Sequence, residues 1–337
     1  MALIISLFLL GMFFVLPVVA EEPPDFTFVT YNVENLFDCR HDTLKDDFEF
    51  LPAGERRWTW GRYMKKVNDI ARVLHEIGEP DGDDVDYRSF HLPDVIVLCE
   101  VENDSVLLSI TRRSLLRTAR YQYVITQSLD NRGVDVALLY NPLTFRPDTS
   151  FSIRVKPIKG FSATRDILYI KGTTRAGASL HVFALHAPSR SAGEVQTEPY
   201  RLEVSNVVAK QVDSLLSSDL STRIIVAGDF NDYSYNKSLK NLGKRLCHVS
   251  QGAQGLNESF THVCGTYYFR GEWGSLDHVL VSPALAESVS QCYVFDRAWL
   301  LEQDAQGQLK PRRTYLGPKY HGGVSDHLPL VMKIAEW

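Results

Sequence analysis

Acidic, amide and histidine side chains recur in this sequence at the ends of short apolar runs. Glu100 follows the run Val95–Cys99, and His186 follows the run Leu180–Leu185. Taken singly, each such residue is typical of a turn or a solvated surface. Their shared position is the informative feature, because polar tips at the ends of strands are held on a rigid frame. The residues concerned are Asn32, Glu34, Glu100, His186, Asp229, Asn231, Asp277, Asp326 and His327.

Several carboxylates that converge repel one another unless a cation neutralises them. A donor set rich in oxygen and poor in thiolate suits Mg²⁺, or alternatively Mn²⁺ or Ca²⁺, better than zinc. Histidine is the side chain best suited to moving a proton near neutral pH. Acids, amides and two histidines together therefore indicate metal-assisted attack of water on a phosphoryl group.

The elements that must hold these residues are mostly β-strands. The apolar runs are short and often β-branched, and many are bounded by Gly, Pro, Asn or Asp, which predicts strands. Several are apolar throughout, which indicates sheets covered on both faces. The predicted strands are Phe26–Tyr31, Val95–Cys99, Tyr121–Thr126, Val134–Tyr140, Ile167–Lys171, Leu180–Leu185, Ile224–Ala227, Val279–Val281 and Leu328–Ile334.

Apolar residues at i, i+3 and i+4 spacing predict three helices between the strands. The first follows Thr59, and the second begins near Pro199. The third covers about 104–117, with Asn103 or Asp104 as its N-cap. Many strands and few helices predict stacked sheets with helices outside them, in one domain.

The composition is that of a globular protein. The chain has 337 residues, of which 45% are hydrophobic and 23% charged, and this excludes a disordered chain, a collagen-like fibre and a multi-span membrane protein. Its 36 Lys and Arg against 41 Asp and Glu give a net charge of −5. That balance argues against a protein that coats nucleic acid through bulk positive charge.

The N-terminal sequence predicts export. Residues 1–20 hold no charged side chain. Val18 and Ala20 are small residues at positions −3 and −1 of a cleavage site, which is typical of a signal peptide cleaved after Ala20. The alternative is an uncleaved membrane anchor, for which the apolar length is marginal. We therefore expect a signal peptide at 1–20, one domain at 21–337 and a secreted or periplasmic location.

The five cysteines form no CxxC motif, and an odd number cannot all pair. Cys247 with Cys264 is the candidate disulfide. The alternative, which we favour, leaves all five thiols free.

Two motifs are the most specific: Gly228-Asp229-Phe230-Asn231 and Ser325-Asp326-His327. With these motifs, the chain from about Asp25 to Trp337 resembles the endonuclease/exonuclease/phosphatase superfamily, which includes pancreatic DNase, apurinic-site endonucleases, sphingomyelinases and inositol-polyphosphate 5-phosphatases. The opening N-V-E-N-L-F-D is similar to that of a secreted bacterial branch. The resemblance implies a DNase-like α/β fold, a four-layer α/β/β/α sandwich in which two packed mixed β-sheets are flanked by helices.

The resemblance also implies roles for single residues. It makes Glu100 the metal-binding glutamate, with Asn32, Glu34 and Asp326 beside the metal. The implied catalytic set consists of His327, Asp277 as the acid that orients it, Asp229 and Asn231 at the attacking water and scissile phosphate, and His186 at the phosphate oxygens. Either Asp229 or His327 is the base. Glu34 stands where apurinic-site endonucleases have Asp, and His278 has no assigned role.

Three arginines in polar segments can present guanidinium groups to a phosphate. The alternative is ion pairing at the surface. They are Arg132, Arg165 and Arg190.

The sequence therefore predicts a secreted, monomeric, Mg²⁺-dependent phosphoesterase that cleaves a phosphodiester or phosphomonoester. A nuclease acting on nucleic acid is favoured, because that activity is common in the superfamily. A sphingomyelinase- or inositol-phosphatase-like activity is the alternative. A secreted binding module that has lost catalysis is disfavoured, because the residues of the site are all present.

Overall fold

The structure, a computed structural model, describes residues 25–79, 90–256 and 263–335. The predicted signal peptide at 1–20 lies outside these residues. Within them, no helix combines the length and the apolar character that crossing a membrane requires. All five cysteines are unpaired, as favoured from the sequence, and Cys99 is buried.

Eighteen strands lie within the described residues and form their framework. Each of the nine predicted strands lies within or overlaps one of them. In chain order they are β1 Phe26–Leu36, β2 Val95–Val101, β3 Gln122–Ile125, β4 Asp135–Tyr140, β5 Phe145–Ile153, β6 Ile167–Thr174, β7 Ser179–His186, β8 Ile224–Asp229, β9 Cys247–His248, β10 Tyr267–Phe269, β11 Glu272–Gly274, β12 Asp277–Val281, β13 Val289–Val294, β14 Leu301–Gln303, β15 Leu309–Pro311, β16 Tyr315–Leu316, β17 Lys319–Tyr320 and β18 Leu330–Ile334.

Twelve of these strands build two mixed sheets of six. The first sheet has the order β13-β18-β1-β2-β4-β3, and the second has the order β5-β6-β7-β8-β12-β9. Apolar side chains from both sheets share one buried core, which includes Val97, Leu138, Val182 and Ile225. The remaining strands pair as short hairpins, β10-β11, β14-β15 and β16-β17.

Helices cover the outer faces of both sheets. They are α1 Trp60–Ile77, α2 Asp104–Leu108, α3 Glu194–Ser218, α4 Lys237–Leu242 and α5 Pro283–Ala286. The α1 residues Val67 and Leu74 join the core shared with the first sheet. On the other side, Val208 and Val212 of α3 pack with Val226 of the second sheet. The predicted four-layer α/β/β/α sandwich is therefore confirmed.

Two of the three predicted helices need correction in their extent. The helix predicted to begin near Pro199 begins at Glu194, because Gly193, with φ 104°, provides the N-cap. Pro199 is the sixth residue of this helix and has no backbone N–H to donate to the carbonyl of Val195. The helix predicted over 104–117 ends at Leu108 and continues as a π-helical and a 3-10 turn.

Serine and threonine side chains explain this early end. Ser109 and Thr111 donate hydrogen bonds to the carbonyls four residues before them, and such bonds compete with regular helix geometry. The predicted start is right, since the Asn103 side chain caps the helix by accepting from two backbone N–H groups.

The strand directions bring the predicted site residues to one edge of each sheet. β1 and β2 run parallel, as do β7 and β8. β12 and β18 run antiparallel to β8 and β1 respectively. Residues that end β1, β2, β7 and β8 therefore lie at the same edge as residues that begin or precede β12 and β18.

Gly228 lies where β8 packs tightly against β7 in the second sheet. It has φ 140°, and a Cβ atom placed on it would lie 1.8 Å from the carbonyl oxygen of Leu185 in β7. The sheet can therefore keep β7 against β8 beside the site only because this position has no side chain.

We predict that Gly228→Ala lowers the free energy of unfolding by about 3 kcal/mol or more, because β7 and β8 must separate to admit the methyl group. The matched control is Gly177→Ala. Gly177 also has positive φ, 84°, but no atom lies within 4 Å of its added Cβ, so only backbone strain of about 1–2 kcal/mol is expected. Urea unfolding of both variants measures the difference, and equal losses would contradict this explanation.

Candidate active site

Asp229, at the end of β8, is the residue on which the site converges. Its side chain is 1% exposed. Asn32 Nδ2 donates to Asp229 Oδ2 over 2.9 Å, and His186 Nε2 lies 3.4 Å from the same oxygen. Burial raises the pKa of Asp229 to about 7, although His327 lowers it. Residues of β1, β7 and β8 therefore meet around one buried carboxyl group.

His327 and Asp277 form a buried pair beside Asp229. His327 Nδ1 donates to Asp277 Oδ2 over 2.6 Å, and His327 Nε2 faces Asp229 Oδ2 at 4.0 Å. Burial alone would lower the pKa of His327, but Asp277 and then Asp229 outweigh it and raise this pKa well above its usual value. The pair therefore holds one ring nitrogen in place and leaves the other directed at the centre of the site.

Thr266 is a member of this group that the sequence analysis missed. Its hydroxyl donates over 2.6 Å to Asp277 Oδ2, the oxygen that also accepts from His327. Thr266 is fully buried. No sequence motif pointed to Thr266, because it precedes Asp277 by eleven residues. The β10-β11 hairpin lies between the two residues and brings them together.

Glu100, at a bulge near the end of β2, faces the same centre from the first sheet. His186 Nε2 lies 3.9 Å and Arg132 Nη2 3.6 Å from Glu100 Oε1, while the backbone N–H of Asn35 donates to Oε2. Burial would raise the pKa of Glu100, but nearby cations, Arg132 foremost, hold it below its usual value. Glu100 therefore stays ionised, as a metal ligand must.

Glu34 and Asp326, both predicted near the metal, form hydrogen bonds with the same arginine, Arg313. Arg313 Nη2 donates to Glu34 Oε1 over 3.0 Å and to Asp326 Oδ2 over 2.8 Å. Burial, and then the charge of Asp326, raise the pKa of Glu34 to about 7. The sequence analysis missed Arg313 and also the buried Lys66, which donates to the Glu34 carbonyl.

His186 is neutral in this setting. Burial, followed by the positive charges of Arg165 and Arg132, lowers its pKa well below the usual value. Its Nδ1 atom has no hydrogen-bond partner within the described part of the chain. The ring therefore presents Nε2 to Glu100 and Asp229 without adding a positive charge.

The other predicted residues lie around the end of β7. Asn231 Nδ2 donates to the Ala187 carbonyl over 3.1 Å. Arg165 is buried and bonds the carbonyls of His186 and Ala187 as well as Asp130, so its guanidinium holds the backbone in place. Arg190 forms an ion pair with Glu194.

The unassigned His278 contacts a loop carbonyl and a second histidine. Its Nε2 lies 2.9 Å from the carbonyl of Asp232, and its Nδ1 lies 3.0 Å from His248 Nε2. Because a carbonyl only accepts, His278 donates from Nε2 and accepts from His248 at Nδ1. The two rings therefore brace the loop that carries Asn231.

The possible metal ligands of the site fit a divalent cation of the magnesium or calcium class. These ligand atoms are mainly carboxylate and amide oxygens, and no thiolate is among them. Within the described residues, Asp229, Asp277 and His327 form one group whose ligand atoms lie within 4.8 Å of one another, but the hydrogen bond between Asp277 and His327 already engages two of them. A positive charge beside Asp229 would stabilise the ionised form of a carboxyl whose pKa burial has raised.

Solved structures share this fold. An endonuclease/exonuclease/phosphatase family protein from Bacteroides thetaiotaomicron is 17% identical, with a TM-score of 0.58 and coverage of 93% of this chain and 98% of that chain. A mannosyl-6-phosphatase from the same species is 18% identical, with a TM-score of 0.58 and coverage of 92% and 100%. The catalytic domain of human Nocturnin with bound sulfate is 16% identical, with a TM-score of 0.52 and coverage of 92% and 94%.

A family model matches almost the whole chain. The model of the Endonuclease/Exonuclease/phosphatase family matches residues 27–336. No protein with a curated description matches at a significant level. The resemblance predicted from the two motifs and the strand-end residues is therefore confirmed: this chain belongs to the Endonuclease/Exonuclease/phosphatase family.

Proposed function

We propose that this protein is a Mg²⁺-dependent phosphoester hydrolase that is exported by its N-terminal segment. The observation that carries the proposal is the group formed by Asp277, His327 and Asp229, in which a buried carboxylate orients a histidine toward a second buried carboxyl. A histidine held at one nitrogen and free at the other is suited to proton transfer to or from a water molecule.

Glu100 and Asn32 are the residues that would hold the cation, with Asp326 and Glu34 beside them. When bound, the cation supplies positive charge that polarises the phosphoryl group and stabilises the leaving oxygen. Arg313 already neutralises part of the charge of Asp326 and Glu34. We therefore assign the principal ligand role to Glu100, the acid whose pKa is held low.

The chain's own groups orient the water and the phosphate. His327 Nε2 and the carboxyl of Asp229 lie 4.0 Å apart, so a water molecule between them can give its proton to Asp229 or, at a pH at which Nε2 is unprotonated, to His327. His186 and Asn231 border the same space and are suited to hydrogen bonding with the phosphate oxygens. Asp277 keeps the His327 ring in the tautomer that leaves Nε2 available.

The class of phosphoester that the protein cleaves is a separate part of the proposal. The sequence favours a nuclease, whereas one structural neighbour is by name a mannosyl-6-phosphatase. The charges at the site favour a small ester, because a polynucleotide is bound by unpaired cations along its backbone. Here Arg132, Arg165, Arg190 and Arg313 each lie against a carboxylate of the chain.

Hydrolysis of bis-p-nitrophenyl phosphate and p-nitrophenyl phosphate with Mg²⁺ tests the proposed activity. We expect turnover that EDTA abolishes, and a loss of about 100- to 10,000-fold in kcat for His327→Ala, because the proton-transfer group is gone. His181→Ala is the matched control, since His181 lies at the opposite end of β7 from His186. Full activity in EDTA or in His327→Ala would refute the assignment.

Thr266→Val tests the geometry of the Asp277–His327 pair. Without the competing hydroxyl, Asp277 Oδ2 binds His327 more strongly, and the pKa of His327 rises further. Because the base must be unprotonated, the acidic limb of the pH–rate profile should move to higher pH by about 0.5–1 unit, as expected for the loss of one hydrogen bond.

Thr266→Ser keeps the hydroxyl and serves as the control for this shift. We expect it to restore the wild-type profile. An acidic limb that stays in place in Thr266→Val, with only a uniform loss of rate, would show that Thr266 serves the fold alone.

A further inference from the structure

A cavity of about 370 Å³ lies directly beside the proposed reaction centre. Asn231 and Tyr267 line it, and they also contact Asp229 and His327 of the centre respectively. The ring of Tyr267 lies 4.8 Å from the ring of His327, measured between centroids, and the two residues pair through a single β-bridge. A group attached to a phosphate held near His327 would therefore extend into this cavity.

One wall of the cavity is aromatic. Tyr267 and Phe269 are alternate residues of β10, so their side chains share one face of the hairpin. Their rings are nearly parallel, at 18°, with centroids 6.4 Å apart. Phe269 is 52% exposed, which leaves a flat apolar surface open beside the reaction centre.

The rest of the lining is largely polar, and Arg270 adds one positive charge to the cavity beside the Arg190–Glu194 ion pair. Arg190 and Glu194 line it as an ion pair, and the Arg190 guanidinium lies over the ring of Tyr233 at 4.5 Å. Both side chains remain partly exposed, at 20% and 44%. A donor and an acceptor therefore lie side by side in the same cavity as the aromatic wall.

We propose, building on the hydrolase function above, that this cavity binds the alcohol part of the substrate and that this part is a single sugar ring. A sugar ring has an apolar face of C–H groups, which suits Tyr267 and Phe269. Its hydroxyl rim donates and accepts, which suits the Arg190–Glu194 pair.

The same features disfavour a polynucleotide. Its backbone needs a row of cationic side chains without partners, but Glu194 neutralises Arg190, which leaves Arg270 as the remaining cation of the lining. A nucleobase can also stack on Tyr267 and Phe269, so AMP is the comparison that separates a nucleobase from a sugar ring. The volume falls within the range of about 300–1,000 Å³ for small-molecule sites.

The test compares kcat/KM for hexose 6-phosphates, methyl phosphate, AMP and a short oligonucleotide. We expect wild type to prefer a hexose 6-phosphate over methyl phosphate by about 100-fold or more, because hydrogen bonds to hydroxyls discriminate strongly. Phe269→Ala and Glu194→Gln should each reduce this ratio about tenfold, chiefly through KM for the sugar ester. The matched control Phe151→Ala, at a ring that is 49% exposed on the distant edge strand β5, should leave the ratio unchanged.

Equal kcat/KM for the sugar ester and methyl phosphate, or a preference for AMP or the oligonucleotide, would overturn this inference and leave the hydrolase function standing. If no ester is turned over, the hydrolase function fails, and calorimetry with glucose 6-phosphate and mannose 6-phosphate in EDTA decides the inference. Binding that Phe269→Ala weakens supports the sugar site, and absence of binding in wild type overturns it.

Discussion

The hydrogen bond between His327 and Asp277 connects the two β-sheets of this protein, and the candidate site depends on contacts of this kind between the sheets. His327 precedes β18 of the first sheet, and Asp277 begins β12 of the second. Asn32 and Asp229 repeat the pattern between β1 and β8, as do Glu100 and His186 between β2 and β7. The proposed chemistry therefore requires that the sheets pack with these edges aligned, and a common apolar core fixes that alignment.

Gathering so many ionisable groups has a cost that the fold must offset. Glu34, Glu100 and Asn231 all have positive φ, between 49° and 65°, and each such residue costs on the order of 1–3 kcal/mol. Buried carboxyl groups add to this, which is why the pKa values of Asp229 and Glu34 are raised to about 7. Strain and burial together at a few turns are the usual signature of a site arranged for chemistry.

The sequence predicted the strand positions and the convergence of the site, and it did so for one reason. Runs such as Val95–Cys99 are apolar throughout, and Glu100 is the first polar residue after one of them. It did not predict Thr266, Arg313 or Lys66, since their roles arise from tertiary contacts across 11 to 279 positions. Nor did it predict β5, an edge strand whose mostly exposed residues lack an apolar pattern.

A double-mutant cycle on His327 and Asp277 tests the central claim most directly. The quantity to measure is kcat/KM for phosphoester hydrolysis by His327→Ala, Asp277→Ala and the variant that carries both changes, with circular dichroism to verify folding. If the two residues act as one unit across the sheets, the double variant should lose about as much activity as the worse single variant. Losses that multiply would show that the two side chains act independently, and this would contradict the account.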